Sequence, residues 1–196
     1  MTGHCHFMIY KPYGFLSQFI TNQKKSRARL LGELGDFPPG TMAIGRLDKD
    51  SEGLLLLTTD GKASSFITSS KVEKEYYAQV DGLVNDEALK ELVSGVEIGN
   101  DGEKYMTKAV AARSLIPPPA FPDRPKKIRD ERHGPTSWLS ITLSEGKFRQ
   151  VRKMTAAVGL PTLRLVRVRI GQILLGNLQP GQIQEVCLED FEVESL

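Results

Sequence analysis

Residues 53–58 read Gly-Leu-Leu-Leu-Leu-Thr, an apolar run without alternation. A strand with one wet face alternates with period two, so consecutive leucines require burial on both faces. The run is short and bounded by Gly53 and by Thr58-Thr59, which makes it a strand in the middle of a sheet. The other elements must then supply neighbouring strands and cover for both faces. A chain of 196 residues suffices for one well-packed domain or two small ones.

The expected neighbours follow from local patterns. Residues 4–10 and the next Lys-Pro read as a strand ending at Pro12, and residues 41–47 as a second strand after the Pro38-Pro39-Gly40 turn. Strands are also expected at 75–80, 108–116, 137–143 and 162–170. Helices are expected at 26–34, 62–68, 147–158 and 85–93, the last with Asn85 as N-cap. Strands dominate and no βαβ rhythm appears. The fold class is therefore α+β, with a mixed, mostly antiparallel sheet and peripheral helices in a single domain over residues 1–196. Residues 117–135 are rich in proline and charge, and that composition predicts a mobile loop.

The formal net charge of +2 conceals an uneven distribution. Between Arg124 and Arg169 lie twelve Lys and Arg against Asp130, Glu131 and Glu145, a net of +9. Residues 185–196 carry five carboxylates and no base. A dense basic block is the footprint of a polyanion site, since each phosphate contact releases counterions. Charge alone fits a solvated face equally well. No apolar run is long enough to span a membrane, and the N-terminus has no secretory pattern, so a cytoplasmic protein is expected. Cys5 and Cys187 are far apart, and His4 and His6 lack a third ligand, so no metal is expected. Neither a phosphate-binding glycine loop nor a dinucleotide fingerprint is present, and no cofactor is expected.

Three segments carry residues suited to chemistry. Gly45-Arg46-Leu47-Asp48-Lys49-Asp50-Ser51-Glu52-Gly53-Leu54 fixes Asp48 between rigid flanks, where a carboxylate can act as nucleophile or base. Asp-x-x-Ser-x-Gly is also ordinary turn chemistry, and spacing alone favours the turn. In Glu145-Gly146-Lys147-Phe148-Arg149-Gln150-Val151-Arg152-Lys153-Met154, helical spacing places Phe148, Val151 and Met154 on an apolar arc. Arg149 and Lys153 fall on the wet side, and Arg152 at the arc's edge, where a guanidinium can pair with a carboxylate. In Lys74-Glu75-Tyr76, strand alternation turns Tyr76 to a core or a cleft.

Taken in order, G-R-L-D-x-x-S-x-G-L, K-E-Y, E-G-K-F-R-Q-V-R-K-M and L-V-R-V-R-I-G resemble the pseudouridine synthases of the RsuA type over almost the whole chain. The resemblance implies an isomerase with a central basic cleft that flips a uridine out of ribosomal RNA, most closely that of the large subunit (23S), and converts it to pseudouridine. It implies that Asp48 is the catalytic carboxylate, that Tyr76 lies against the uracil and that Arg152 pairs with Asp48. It also implies that Arg46 contacts RNA. The basic residues Lys147, Arg149, Lys153, Arg164, Arg167 and Arg169 are expected to bind the RNA backbone. Most relatives of this type carry a small N-terminal RNA-binding module of the S4 type. Here the first strand is expected at His4, so the module is expected to be absent. Substrate choice is then expected to fall to the catalytic domain, the 117–135 loop and the basic strand around Arg164–Arg169. A monomer is expected, from the lack of heptads or a self-complementary apolar patch. A non-catalytic RNA-binding protein would explain the basic block but not the set Asp48, Tyr76 and Arg152. A methyltransferase would need a glycine-rich methyl-donor site, which is missing.

Overall fold

The computed structural model describes residues 3–21, 28–68, 72–129 and 131–187. Along the chain run β1 (His6–Lys11), β2 (Met42–Ile44), β3 (Glu52–Thr58), α1 (Gly61–Thr68), β4 (Lys74–Asp81) and α2 (Asp86–Ser94). There follow β5 (Val96–Asn100), β6 (Glu103–Thr107), β7 (Ala111–Ser114), β8 (Thr136–Leu143), α3 (Gln150–Ala157), β9 (Thr162–Ile170), β10 (Ile173–Leu174) and β11 (Ile183–Glu185). The named strand pairs below are antiparallel, and the α+β class holds. Two compact units are formed, one from residues 1–72 with 167–196 and one from residues 73–166.

In the first unit, β3 lies where the leucine run demands. Every residue of Glu52–Thr58 is buried. Its Leu54 to Thr58 face Tyr10 to His6 of β1 on one edge, and Leu56 faces Ile44 of β2 on the other. β11 extends the sheet beyond β1, with Ile9 opposite Ile183. Burying a leucine side chain stabilises by about 1.5–3 kcal/mol, so Leu54 to Leu57 form the energetic centre of this unit. In the second unit, β8 is central, with β4 on one edge and β7 on the other. A hairpin of β5 and β6 forms a separate two-stranded sheet. Asn85 caps α2 by accepting from the Ala88 N–H at 2.8 Å.

Several expected boundaries move. Within 26–34 the described residues form only a single 3₁₀ turn, Leu31–Glu33. Arg29 is drawn into an extended bridge with Phe15, and its carbonyl accepts from the Leu16 N–H, which competes with helix. The strand expected over 41–47 is confined to Met42–Ile44, because Gly45 turns the chain at φ +68°. The strand over 108–116 contracts to Ala111–Ser114, and the β5–β6 hairpin was not expected at all. Residues 117–129 form no helix or strand but are tethered. Phe121 packs on Trp138 and Tyr77, Arg124 donates to the Leu163 carbonyl, and Arg129 forms a two-pronged ion pair with Asp81. Most of the acidic tail, 188–196, lies outside the described residues.

Candidate active site

The Asp48 loop is built from its backbone. Gly45 adopts a left-handed conformation that residues with a Cβ rarely take, and it ends β2. Leu47 is then buried while Arg46 before it is exposed and Asp48 after it is half-buried. One hydroxyl locks this arrangement. The Leu47 N–H donates to Ser17 Oγ, which donates to the Leu47 carbonyl, both at 2.9 Å. The Ser51 N–H closes the turn on the Asp48 carbonyl at 3.0 Å, and the Gly14 N–H donates to the Lys49 carbonyl at 2.8 Å. The turn that the spacing favours is thus present, and its bonds fix the backbone on both sides of Asp48.

Behind this loop sits a buried amine. Lys11 is 0% exposed and donates to the carbonyls of Phe15 at 2.7 Å and Pro12 at 3.1 Å. Burial pushes its ammonium down to about 7, helped by the charge of Arg167 and opposed by Glu52, Asp50 and Asp48. The unfolded chain holds this proton to about pH 10.4, whereas the folded chain releases it near 7. Between those values the unfolded state binds more protons, so stability rises with pH; below about 7 both states are charged and the contribution is flat. Urea unfolding from pH 7 to 9 is expected to show a rise approaching about 1.4 kcal/mol per pH unit, absent in Lys11→Met. A parallel slope in that variant would show that another group is responsible.

Tyr76 and Arg152 belong to the second unit. Tyr76 lies on β4 opposite Ile141, and is buried. Arg152 is on α3, half-buried, and its Nη1 donates to the Thr162 carbonyl at 3.3 Å. The helix begins at Gln150 rather than 147, because Arg149 is left-handed at φ 52°, ψ 32°. Its buried side is Gln150, Val151, Met154 and Thr155, whereas Phe148 lies outside it and is 66% exposed. The apolar arc drawn from the sequence is therefore rotated and loses its first member.

The basic residues divide by burial. Lys147 and Arg46 are exposed, and Arg149, Lys153 and Arg169 are half-buried. Arg164 and Arg167 are only 5% and 4% exposed. Arg164 Nη2 donates to the Pro122 carbonyl at 2.8 Å and its guanidinium lies over the Phe121 ring. Arg167 Nε donates to the Leu54 carbonyl at 2.8 Å, beside the charges that surround Lys11. Both perform internal work that alternation on β9 did not reveal. Sequence reasoning also missed Ser17, whose partner Leu47 is distant in the chain, and Lys11, whose hydrogen-bond acceptors are local but whose surrounding charges, Asp48, Asp50, Glu52 and Arg167, are remote. Among the described residues, no group of three His, Cys, Asp or Glu is gathered as a metal would need, and His6 instead bonds Thr58 Oγ1. Among them, too, no helix is long and apolar enough to cross a membrane.

Comparison with known proteins places this architecture. Residues 6–157 match the family model of RNA pseudouridylate synthases. The chain is 46% identical over 177 residues to a ribosomal large subunit pseudouridine synthase E of Xanthomonas campestris, covering 89% of this chain and 91% of that protein. It is 43% identical to the protein so named in Vibrio parahaemolyticus, covering 91% of this chain and 72% of the other. A crystal structure of a pseudouridylate synthase superimposes with a TM-score of 0.74 at 28% identity, covering 97% of this chain and 74% of that one. The GRLD loop on its hydroxyl lock lies within the matched span, and the chain belongs to the RNA pseudouridylate synthase family, in its RsuA-type branch.

Proposed function

We propose that this protein converts a uridine of large-subunit (23S) ribosomal RNA to pseudouridine, with Asp48 as the reacting carboxylate. The observation that carries this reading is the likeness over nine-tenths of the chain to proteins named large subunit pseudouridine synthase E. The target nucleotide is flipped out of its helix into a basic cleft, at a cost of a few kcal/mol that phosphate contacts offset. The N1–C1′ bond breaks, the uracil turns, and a C5–C1′ bond forms as C5 gives up its hydrogen and N1 gains one. Asp48 either attacks covalently or removes the C2′ proton. Tyr76 lies against the detached base, and Arg152 keeps Asp48 ionised and oriented. The support for these roles is the order and spacing of the three motifs. Atoms balance without an external reagent, so the reaction consumes no cofactor, and the reading takes the enzyme to be a cytoplasmic monomer.

The test is tritium release from ribosomal RNA carrying 5-tritiated uridine, because the label leaves only when C5 forms its new bond. Release is expected from large-subunit RNA and not from small-subunit RNA. Release from the small-subunit RNA alone would reassign the substrate, and release from neither would remove the synthase reading. RNA contact is proposed for Arg46, Lys147, Arg149, Lys153 and Arg169, with Arg164 and Arg167 contributing by tying β9 to the Phe121–Pro122 segment and to Leu54 of β3. Lys147→Gln is expected to weaken RNA binding several-fold at low salt and to reduce the salt slope by about one. Arg167→Met is expected to leave that slope unchanged and to lower the melting temperature. A reduced slope for Arg167→Met would make it a phosphate ligand.

A further inference from the structure

The turn ahead of α3 is braced from beneath. Glu145 accepts hydrogen bonds from Tyr105 Oη at 2.7 Å, Thr107 Oγ1 at 2.6 Å and Gln150 Nε2 at 2.7 Å. Gln150, itself buried, returns its Oε1 to the Lys147 N–H at 2.8 Å. The brace fixes Lys147, Phe148 and the left-handed Arg149, and it leaves the Phe148 ring facing outward. Lys153 Nζ stands 5.3 Å from the centre of that ring, and Lys147 Nζ 5.0 Å from the centre of the Tyr105 ring.

A phenyl ring held in water forgoes about 2 kcal/mol of burial, and the rigid turn offers it no way back. Its setting selects the partner. Flanking cations repel a basic surface and disfavour a purely apolar one, whereas single-stranded nucleic acid supplies a flat base for the ring and phosphates for the ammonium groups. We propose that Phe148 is a stacking platform for an unpaired base of the substrate RNA, other than the uridine that reacts, with Lys147 and Lys153 receiving the adjacent phosphates. This rests on the reading that the substrate is RNA, and adds that a single-stranded stretch is recognised by stacking. The contact tolerates any base, because every base has a π face.

Fluorescence tests it directly. The single native tryptophan, Trp138, is buried, so Phe148→Trp introduces a distinct exposed reporter. A short oligouridylate is expected to quench Phe148→Trp but not the wild type, and an RNA duplex to quench it far less. Phe148→Leu keeps the apolar bulk and loses the π face, so its affinity for oligouridylate should fall about 5- to 100-fold, with Phe148→Tyr retaining it. Leu83→Ala, an exposed apolar position elsewhere, should bind as wild type does. No quenching together with unchanged affinity for Phe148→Leu overturns the platform, as does loss of self-association in Phe148→Leu, which would make the ring a protein contact. Either result leaves tritium release by the wild type intact, so the failure of this proposal is separable from failure of the synthase reading.

Discussion

Asp48→Asn is expected to release no measurable tritium from 5-tritiated ribosomal RNA, a loss of about 10³-fold or more, while binding the same RNA at least as tightly. The amide has the shape of the carboxylate, and Ser17 and Ser51 hold the loop through its backbone. Ser17 holds Leu47, and Ser51 closes on the Asp48 backbone carbonyl. The variant therefore alters the chemistry of one group in an unchanged frame. It can neither attack as an oxyanion nor take a proton. If Asp48 meets the RNA as proposed, removing its negative charge favours binding rather than opposing it. It also removes one of three carboxylates that support the buried Lys11 ammonium, so a slightly lower melting temperature should accompany the loss of activity. Equal tritium release by variant and wild type would take Asp48 out of the mechanism. Lost release with equally lost binding would make it a structural residue of the loop.

What the sequence disclosed follows from how far each signal reaches along the chain. The leucine run located β3 because burial on both faces has a local signature, and Asn85 announced α2 for the same reason. The limits of β9 were legible in its composition, but the roles of Arg164 and Arg167 were not, since their acceptors, Pro122 and Leu54, are remote. The β5–β6 hairpin escaped because its strands are short, with only Val96 and Ile98 of β5 alternating into the core. Its turn did carry a signal, Asn100-Asp101-Gly102, where Asp101 at φ 52° and Gly102 at φ 86° form the left-handed pair that tight hairpins favour. Phe148 was read as core because periodicity assumes the helix has already begun. A left-handed Arg149 breaks that assumption, and its cause is the Glu145 brace on β6, nearly forty residues earlier in the chain. For the site, the motif order gave Asp48, Tyr76 and Arg152 as a set. The supports of Asp48, namely Ser17 and Lys11, are tertiary and carried no sequence pattern.

The same brace yields the largest expected change in stability. Glu145→Ala strips Tyr105, Thr107 and Gln150 of a shared charged acceptor in a half-buried place, and should cost about 2–4 kcal/mol at pH 7, read as a shift in urea midpoint. Burial alone would raise the Glu145 carboxyl. The hydrogen bonds from Thr107, Tyr105 and Gln150, with the charge of Lys147, outweigh it and hold the group below the ordinary carboxylate range. In the unfolded chain it regains its ordinary value near 4.3. Its stabilisation is therefore complete above that value and is lost as the pH falls through the lower, folded one. The gap between wild type and Glu145→Ala should be widest near neutrality and shrink in acid. Thr107→Val added to Glu145→Ala should cost less than it does in the wild type, because the two share one network. RNA affinity should fall with Glu145→Ala as well, since Lys147 and Phe148 lose their fixed geometry, whereas Asp48 keeps its own supports in the other unit. A gap that stays constant into acid would mean that packing, and not the charged acceptor, holds this turn in place.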